Sequence, residues 1–212
     1  NPYFPPKRMV SQMKDNYLEL LTQYPSGMYV QSINAGRMFG VDESEILVGN
    51  GAAEIINGLD TILQGSVGVT IPTFNEYVRC FRNCTLETID SSKNDYRLSK
   101  AALIELSKRV DNLVIVNPDN PSGSFIKYED LIEIIEACEA RGTKIIIDES
   151  FIDFANEELR YTLIDSKILN KYKNLMVIKS ISKSYGVPGL RLGVIASSDK
   201  ELLQRLKAAM AV

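Results

Sequence analysis

Lys144-Ile145-Ile146-Ile147-Asp148 is the stretch on which the fold turns. Three consecutive isoleucines put apolar side chains on both faces of a strand, so both faces must be covered. The neighbouring chain supplies the cover. Upstream, Tyr128 to Arg141 reads as a helix, preceded by a second apolar strand at Leu113-Val114-Ile115-Val116 that runs into Asn117-Pro118. Downstream lie two more such strands, Leu175 to Lys179 and Leu192 to Ala196, and then a helix over 199–212. Toward the N-terminus the alternation continues, with strands at Ile46 to Val48, Ser66 to Ile71 and Thr85 to Ile89. Helices are expected at Ala52 to Leu63, Thr73 to Arg82 and Ser99 to Arg109. Before these, Met9 to Tyr24 reads as one amphipathic helix with Met9, Met13, Tyr17, Leu20 and Leu21 on a shared face, and Ser32 to Phe39 as a helix closed by Gly40. Apolar strands separated by helices define an α/β protein, a three-layer α/β/α arrangement around a mostly parallel sheet.

Bulk properties agree with a folded domain and narrow its chemistry. The 212 residues are 45% apolar and 24% charged, enough to bury a substantial core as a single domain over 1–212. A net charge of -3 carries no basic footprint for nucleic acid or a membrane surface, and no apolar run nears the roughly 20 residues that span a bilayer. The opening Asn1-Pro2-Tyr3 has neither the charged nor the apolar region of a secretory signal, and the three cysteines, read as reduced structural thiols, make a cytoplasmic address the default expectation. Cys80, Cys84 and Cys138 form no CxxC pair, and no metal site is expected from them. With no histidine in the chain, Ser-His and Cys-His nucleophiles are excluded, and proton transfer falls to Lys, Tyr, Asp or Glu.

In open parallel sheets ligands bind beyond the carboxyl ends of the strands, so the segments there carry the function. Gly49-Asn50-Gly51-Ala52-Ala53-Glu54 lies between a strand and a helix, where the amides of Ala52 and Ala53 can point at an anion. The same loop also fits an ordinary βα turn. Asp148 fits a helix cap, a solvated loop, or a buried carboxylate facing a cationic nitrogen. Lys183 and Arg191 fit the surface, or an amine of depressed pKa and a phosphate clamp. Taken together in chain order, these residues define one candidate site.

Asn120-Pro121-Ser122-Gly123, Asp148-Glu-Ser-Phe-Ile-Asp-Phe154, Ser180-x-Ser182-Lys183 and Gly189-Leu-Arg191-Leu-Gly193 resemble the signature of fold-type-I aminotransferases. The closest resemblance is to the branch of histidinol-phosphate aminotransferase and threonine-phosphate decarboxylase, and it covers essentially the whole chain. It implies pyridoxal 5'-phosphate as cofactor, with Lys183 bonded to its aldehyde carbon and Asp148 paired with the pyridine nitrogen. It further implies Asn120 on the ring's O3′, Phe74 over the ring, and phosphate held by the amides of Ala52 and Ala53, by Ser180, Ser182 and Arg191. Tyr24 matches a residue that crosses the interface of a homodimer to the neighbour's phosphate. Asn1-Pro2 resembles the start of a substrate-side segment. Phe151 stands where the aminotransferase branch often has Tyr, which removes one hydrogen bond to O3′ and is nearer the decarboxylase branch. The resemblance also implies a truncated large domain lacking its C-terminal small domain, with a nucleotidyltransferase fused in front as one arrangement of the parent protein. The reaction stays open between amino transfer from an amino donor to an oxo acceptor, decarboxylation of a phosphorylated amino acid, and a non-catalytic cofactor-binding or dimerisation module.

Overall fold

The computed structural model describes residues 4–210; Asn1-Pro2, matched to a substrate-side segment, lies outside the described residues. The strands are β1 (Ile46–Asn50), β2 (Ser66–Ile71), β3 (Thr85–Asp90), β4 (Asn112–Val116), β5 (Lys144–Asp148), β6 (Leu175–Lys179) and β7 (Leu192–Ala196). Among the described residues they form one sheet in the order β1-β7-β6-β5-β4-β2-β3. Pairing is parallel from β3 through β2, β4 and β5 to β6, whereas β7 runs antiparallel to both β6 and β1. The expected mostly parallel sheet is present.

The alternation of side chains along each strand splits the core into two. Ile145 and Ile147 of β5 face one way with Leu113, Ile115, Leu175 and Val177, while Ile146 faces the other with Val114, Met176 and Ile178. Helices α6 (Lys100–Ser107) and α7 (Tyr128–Glu139) bury Leu103, Leu106, Leu131, Ile134 and Ile135 on the first face. There α3 (Met28–Phe39) and α8 (Ser166–Lys171) add Ala35 and Leu169. On the second face α4 (Ala52–Ile62), α5 (Asn75–Cys80) and α10 (Lys200–Met210) bury Ile55, Ile56, Leu59, Tyr77, Leu203 and Leu206. Each fully buried Leu or Ile among them contributes about 1.5–3 kcal/mol through loss of water contact.

Three local expectations change. Met9 to Tyr24 is not one helix but two, α1 (Lys7–Asp15) and α2 (Tyr17–Thr22), separated at Asn16, whose side-chain amide donates to the Gln12 carbonyl at 2.8 Å. This local bond competes with the regular ladder. The helix expected from Thr73 starts at Asn75, because the Thr73 hydroxyl donates to Asp119 Oδ1 at 3.0 Å and Phe74 stays outside the helix as its cap. Helix α3 begins at Met28 rather than Ser32. Helix α8 and the one-turn α9 (Ile181–Ser184) have no counterpart in the sequence reading, being too short to show a period.

Candidate active site

The edge of the sheet at which β1, β2, β4, β5 and β6 end collects the predicted residues. Asp148 ends β5 and is 2% exposed. Its Oδ1 accepts the Ser150 N–H at 2.9 Å, and its Oδ2 accepts the phenol of Tyr77 at 2.9 Å. Beside it, β6 runs into Ser180, the cap of α9, and one turn later stands Lys183. The Ser180 N–H donates to Ser150 Oγ at 2.9 Å, so the loop that bears Lys183 is tied to the loop that bears Asp148.

Lys183 Nζ lies 4.1 Å from the ring centre of Phe151 and 5.0 Å from that of Phe74. Half-buried between two aromatic faces, the ammonium loses hydration, and this pulls its pKa below the ordinary lysine value against the opposing attraction of Asp148. The amine is therefore closer to its nucleophilic form than a surface lysine is. Phe151 also lines, with Asn120, Pro118, Phe125, Phe154 and Leu159, a cleft of about 380 Å³. The Asn120 loop is anchored beneath by Asp119, which accepts from Thr73 and from the Ser122 N–H at 3.2 Å, and by Asn117, whose N–H donates to the Asp148 carbonyl at 2.9 Å.

The phosphate-type features converge at the next strands. Arg191 precedes β7, and because β7 is antiparallel its first residue lies at the edge where the parallel strands end. Arg191 adopts a left-handed backbone (φ 52°, ψ 57°), an unfavourable conformation for a residue other than glycine that surrounding structure must sustain. Its guanidinium lies against Gly51, where an added Cβ would come within 2.8 Å of Nη2. Gly51 itself has φ 79° and caps α4 without a side-chain bond, leaving the amides of Ala52 and Ala53 at the first turn beside that guanidinium. Helix start and β7 are in backbone contact: a Cβ on Gly193 would meet Ala52 N at 2.5 Å. A guanidinium beside the positive end of a helix is an arrangement that can attract an anion.

Ser182 is brought to the same place, but its hydroxyl serves the fold, donating to the Leu192 carbonyl at 3.2 Å and accepting the Leu192 N–H at 2.7 Å. Tyr24 stands apart from these residues. It is fully exposed, at a groove of about 1500 Å³ that it lines with Met9, Met13, Tyr17, Leu20 and Leu190. Tyr77, Ser150 and Asp119 hydrogen-bond to the candidate residues or their loops and were not singled out from the sequence. The spacing of Tyr77 three after Phe74 in a helix was the available signal for the first; the bonds of the other two are made by loops and carry none.

A model of the family described as aminotransferase class I and II matches residues 31–211. The chain belongs to that family, which depends on pyridoxal 5'-phosphate. It is 35% identical over 195 residues to the L-serine phosphate decarboxylase Cj1436c of Campylobacter jejuni, covering 89% of this chain and 50% of that protein. It is 32% identical to the CMP-5'-(3-aminopropyl)phosphonate synthase of Streptomyces rubellomurinus, covering 100% of this chain and 33% of the other. The solved histidinol-phosphate aminotransferase of Clostridium acetobutylicum superposes with a TM-score of 0.80 at 25% identity, over 98% of this chain and 61% of that one. The chain thus spans between a third and about three fifths of the proteins it is similar to.

Proposed function

We propose that this chain is the cofactor-holding part of a pyridoxal-phosphate enzyme that moves an amino group between an amino donor and a 2-oxo acid or aldehyde. The observation that carries the reading is the pairing of a buried carboxylate, Asp148, with a desolvated amine, Lys183, at one sheet edge. When bound, the cofactor supplies an aldehyde and a ring that draws electrons from the substrate's Cα. The donor set suits it. Asp148 offers an anion to the pyridine nitrogen, Asn120 an amide to O3′, and Phe74 and Phe151 apolar faces to the ring. The α4 amides of Ala52 and Ala53, with Ser180 and Arg191, offer donors to its phosphate, whereas the Ser182 hydroxyl proton is committed to the Leu192 carbonyl; Gly51 leaves the room that a Cβ would fill beside Arg191. Lys183 would hold the cofactor by condensing with its aldehyde carbon with release of water, and as a free amine it would accept and return the substrate's Cα proton, a role helped by its lowered pKa. The surrounding phenyl groups keep water from that nitrogen.

A second reading, decarboxylation of a phosphorylated amino acid, is favoured by Phe151 and by the 35% identity to the L-serine phosphate decarboxylase. We further propose that the chain acts as a homodimer with Tyr24 reaching the neighbour's phosphate site, within a longer protein that brings a further substrate-binding domain and, in one arrangement, a fused nucleotidyltransferase.

Borohydride reduction after addition of pyridoxal phosphate, followed by peptide mass mapping, tests the core of this reading. The expected result is one stable adduct on Lys183, absent from Lys183→Ala. An adduct spread over surface lysines contradicts it. In the full-length protein, amino-acid formation from 2-oxoglutarate supports transfer, and carbon dioxide release supports decarboxylation.

A further inference from the structure

Tyr77 is fully buried and belongs to none of the signature motifs. Its ring stacks on Phe81 (centroids 6.2 Å, interplanar angle 19°) and stands edge-on to Phe74 (6.2 Å, 77°). Its hydroxyl crosses from α5 to the end of β5 to donate to Asp148 Oδ2 at 2.9 Å. With the Ser150 N–H on Oδ1, both carboxylate oxygens have a donor, which leaves the carboxylate no freedom to rotate. Resting on the cofactor reading above, we propose that Tyr77 is a positioning residue that fixes the Asp148 carboxylate toward the cofactor's ring nitrogen and, through its ring edge, sets the plane of Phe74. One turn of helix thereby joins the two contacts proposed for that ring. Burial and the adjacent carboxylate raise the phenol's pKa well above its ordinary value, so it remains a donor throughout the pH range of a folded protein.

If Tyr77 were only a packing residue, Tyr77→Phe would change stability and nothing else. The test measures, on the full chain, the dissociation constant of pyridoxal phosphate, the pH midpoint of the visible band it forms with the protein, and unfolding of the cofactor-free protein. Tyr77→Phe is expected to weaken cofactor binding about tenfold, the loss of one hydrogen bond to a charged group, and to move the pH midpoint. In an Asp148→Asn background, removing the hydroxyl is expected to add less than about twofold, because the effect runs through Asp148. An unchanged constant and midpoint, or losses that simply add, overturn the inference. Should Tyr77→Phe fail to fold, 3-fluorotyrosine at position 77 retains the ring and strengthens the donor; a moved midpoint supports the inference and an unmoved one overturns it. A wild-type chain that forms no band overturns the functional reading and this inference together, whereas a wild-type band unaffected by the substitutions overturns this inference alone.

Discussion

At the residue scale the site is governed by which charges lose water and which are paid back in hydrogen bonds. Asp148 is buried with a donor on each oxygen, whereas Lys183 loses hydration to Phe74 and Phe151 and has its pKa lowered. Glu149, the next residue and fully buried, behaves differently. Burial pushes its pKa up to about 7, against Lys179 nearby and bonds from Thr162 and from the Leu163 N–H at 3.0 Å. Between its ordinary value of 4.5 and about 7, the folded chain holds a proton on this carboxyl that the unfolded chain has released. Folding stability therefore falls as pH rises through that window and levels off above it. Glu149→Gln is neutral throughout, so its stability relative to wild type should improve by about 2 kcal/mol between about pH 5 and about pH 8. Urea denaturation at the two pH values measures this, and a constant difference would show that Glu149 does not titrate as described.

At the element scale, the decisive contact is the one between the start of α4 and the start of β7. Gly193 brings the strand within backbone distance of Ala52, so Gly193→Ala forces two main chains apart and is expected to cost about 1–3 kcal/mol in chemical denaturation. Gly51→Ala is a different experiment. It places a side chain at φ 79° and pushes on the Arg191 guanidinium, so it should cost about 1 kcal/mol of stability and weaken pyridoxal phosphate binding at least severalfold. Weakened stability with unchanged cofactor affinity would remove this turn from the phosphate site. The helix that Thr73 was expected to begin shows the opposite balance: a side-chain bond to Asp119 outweighs two more helical residues and leaves Phe74 outside the helix as its cap.

For the whole molecule, the apolar surface is unevenly distributed. Two cores sandwich the sheet, yet α1 and α2 bury no residue, and Tyr17, Leu18, Leu20 and Leu21 are all more than half exposed. If the chain forms the proposed homodimer through these helices, sedimentation should show concentration-dependent association that Leu20→Glu with Leu21→Glu abolishes; a wild-type chain that stays monomeric contradicts it. The strands were legible because the Ile145 to Ile147 run, and its counterparts at Leu113 to Val116 and Leu175 to Ile178, tolerate no other placement than a sheet covered on both faces. The order Asn120, Asp148, Lys183, Arg191 was legible for a related reason: each residue adjoins a strand, and in a parallel sheet the strand ends share an edge. Sequence alone did not show that Arg191, which precedes its strand, reaches that edge; this requires β7 to run against its neighbours, and strand direction depends on partners far away in the chain. Nor did it show that the Tyr77 phenol meets Asp148, 71 positions away, or that the Ser182 hydroxyl is taken by the Leu192 backbone. Local patterning by itself determined the layers, because side-chain periodicity is a short-range property, while the candidate lysine was picked out by the resemblance of the ordered strand-end motifs to a known family. Only the tertiary structure decided which donors complete the site, because hydrogen bonds between distant segments exist only once the sheet has set their distance.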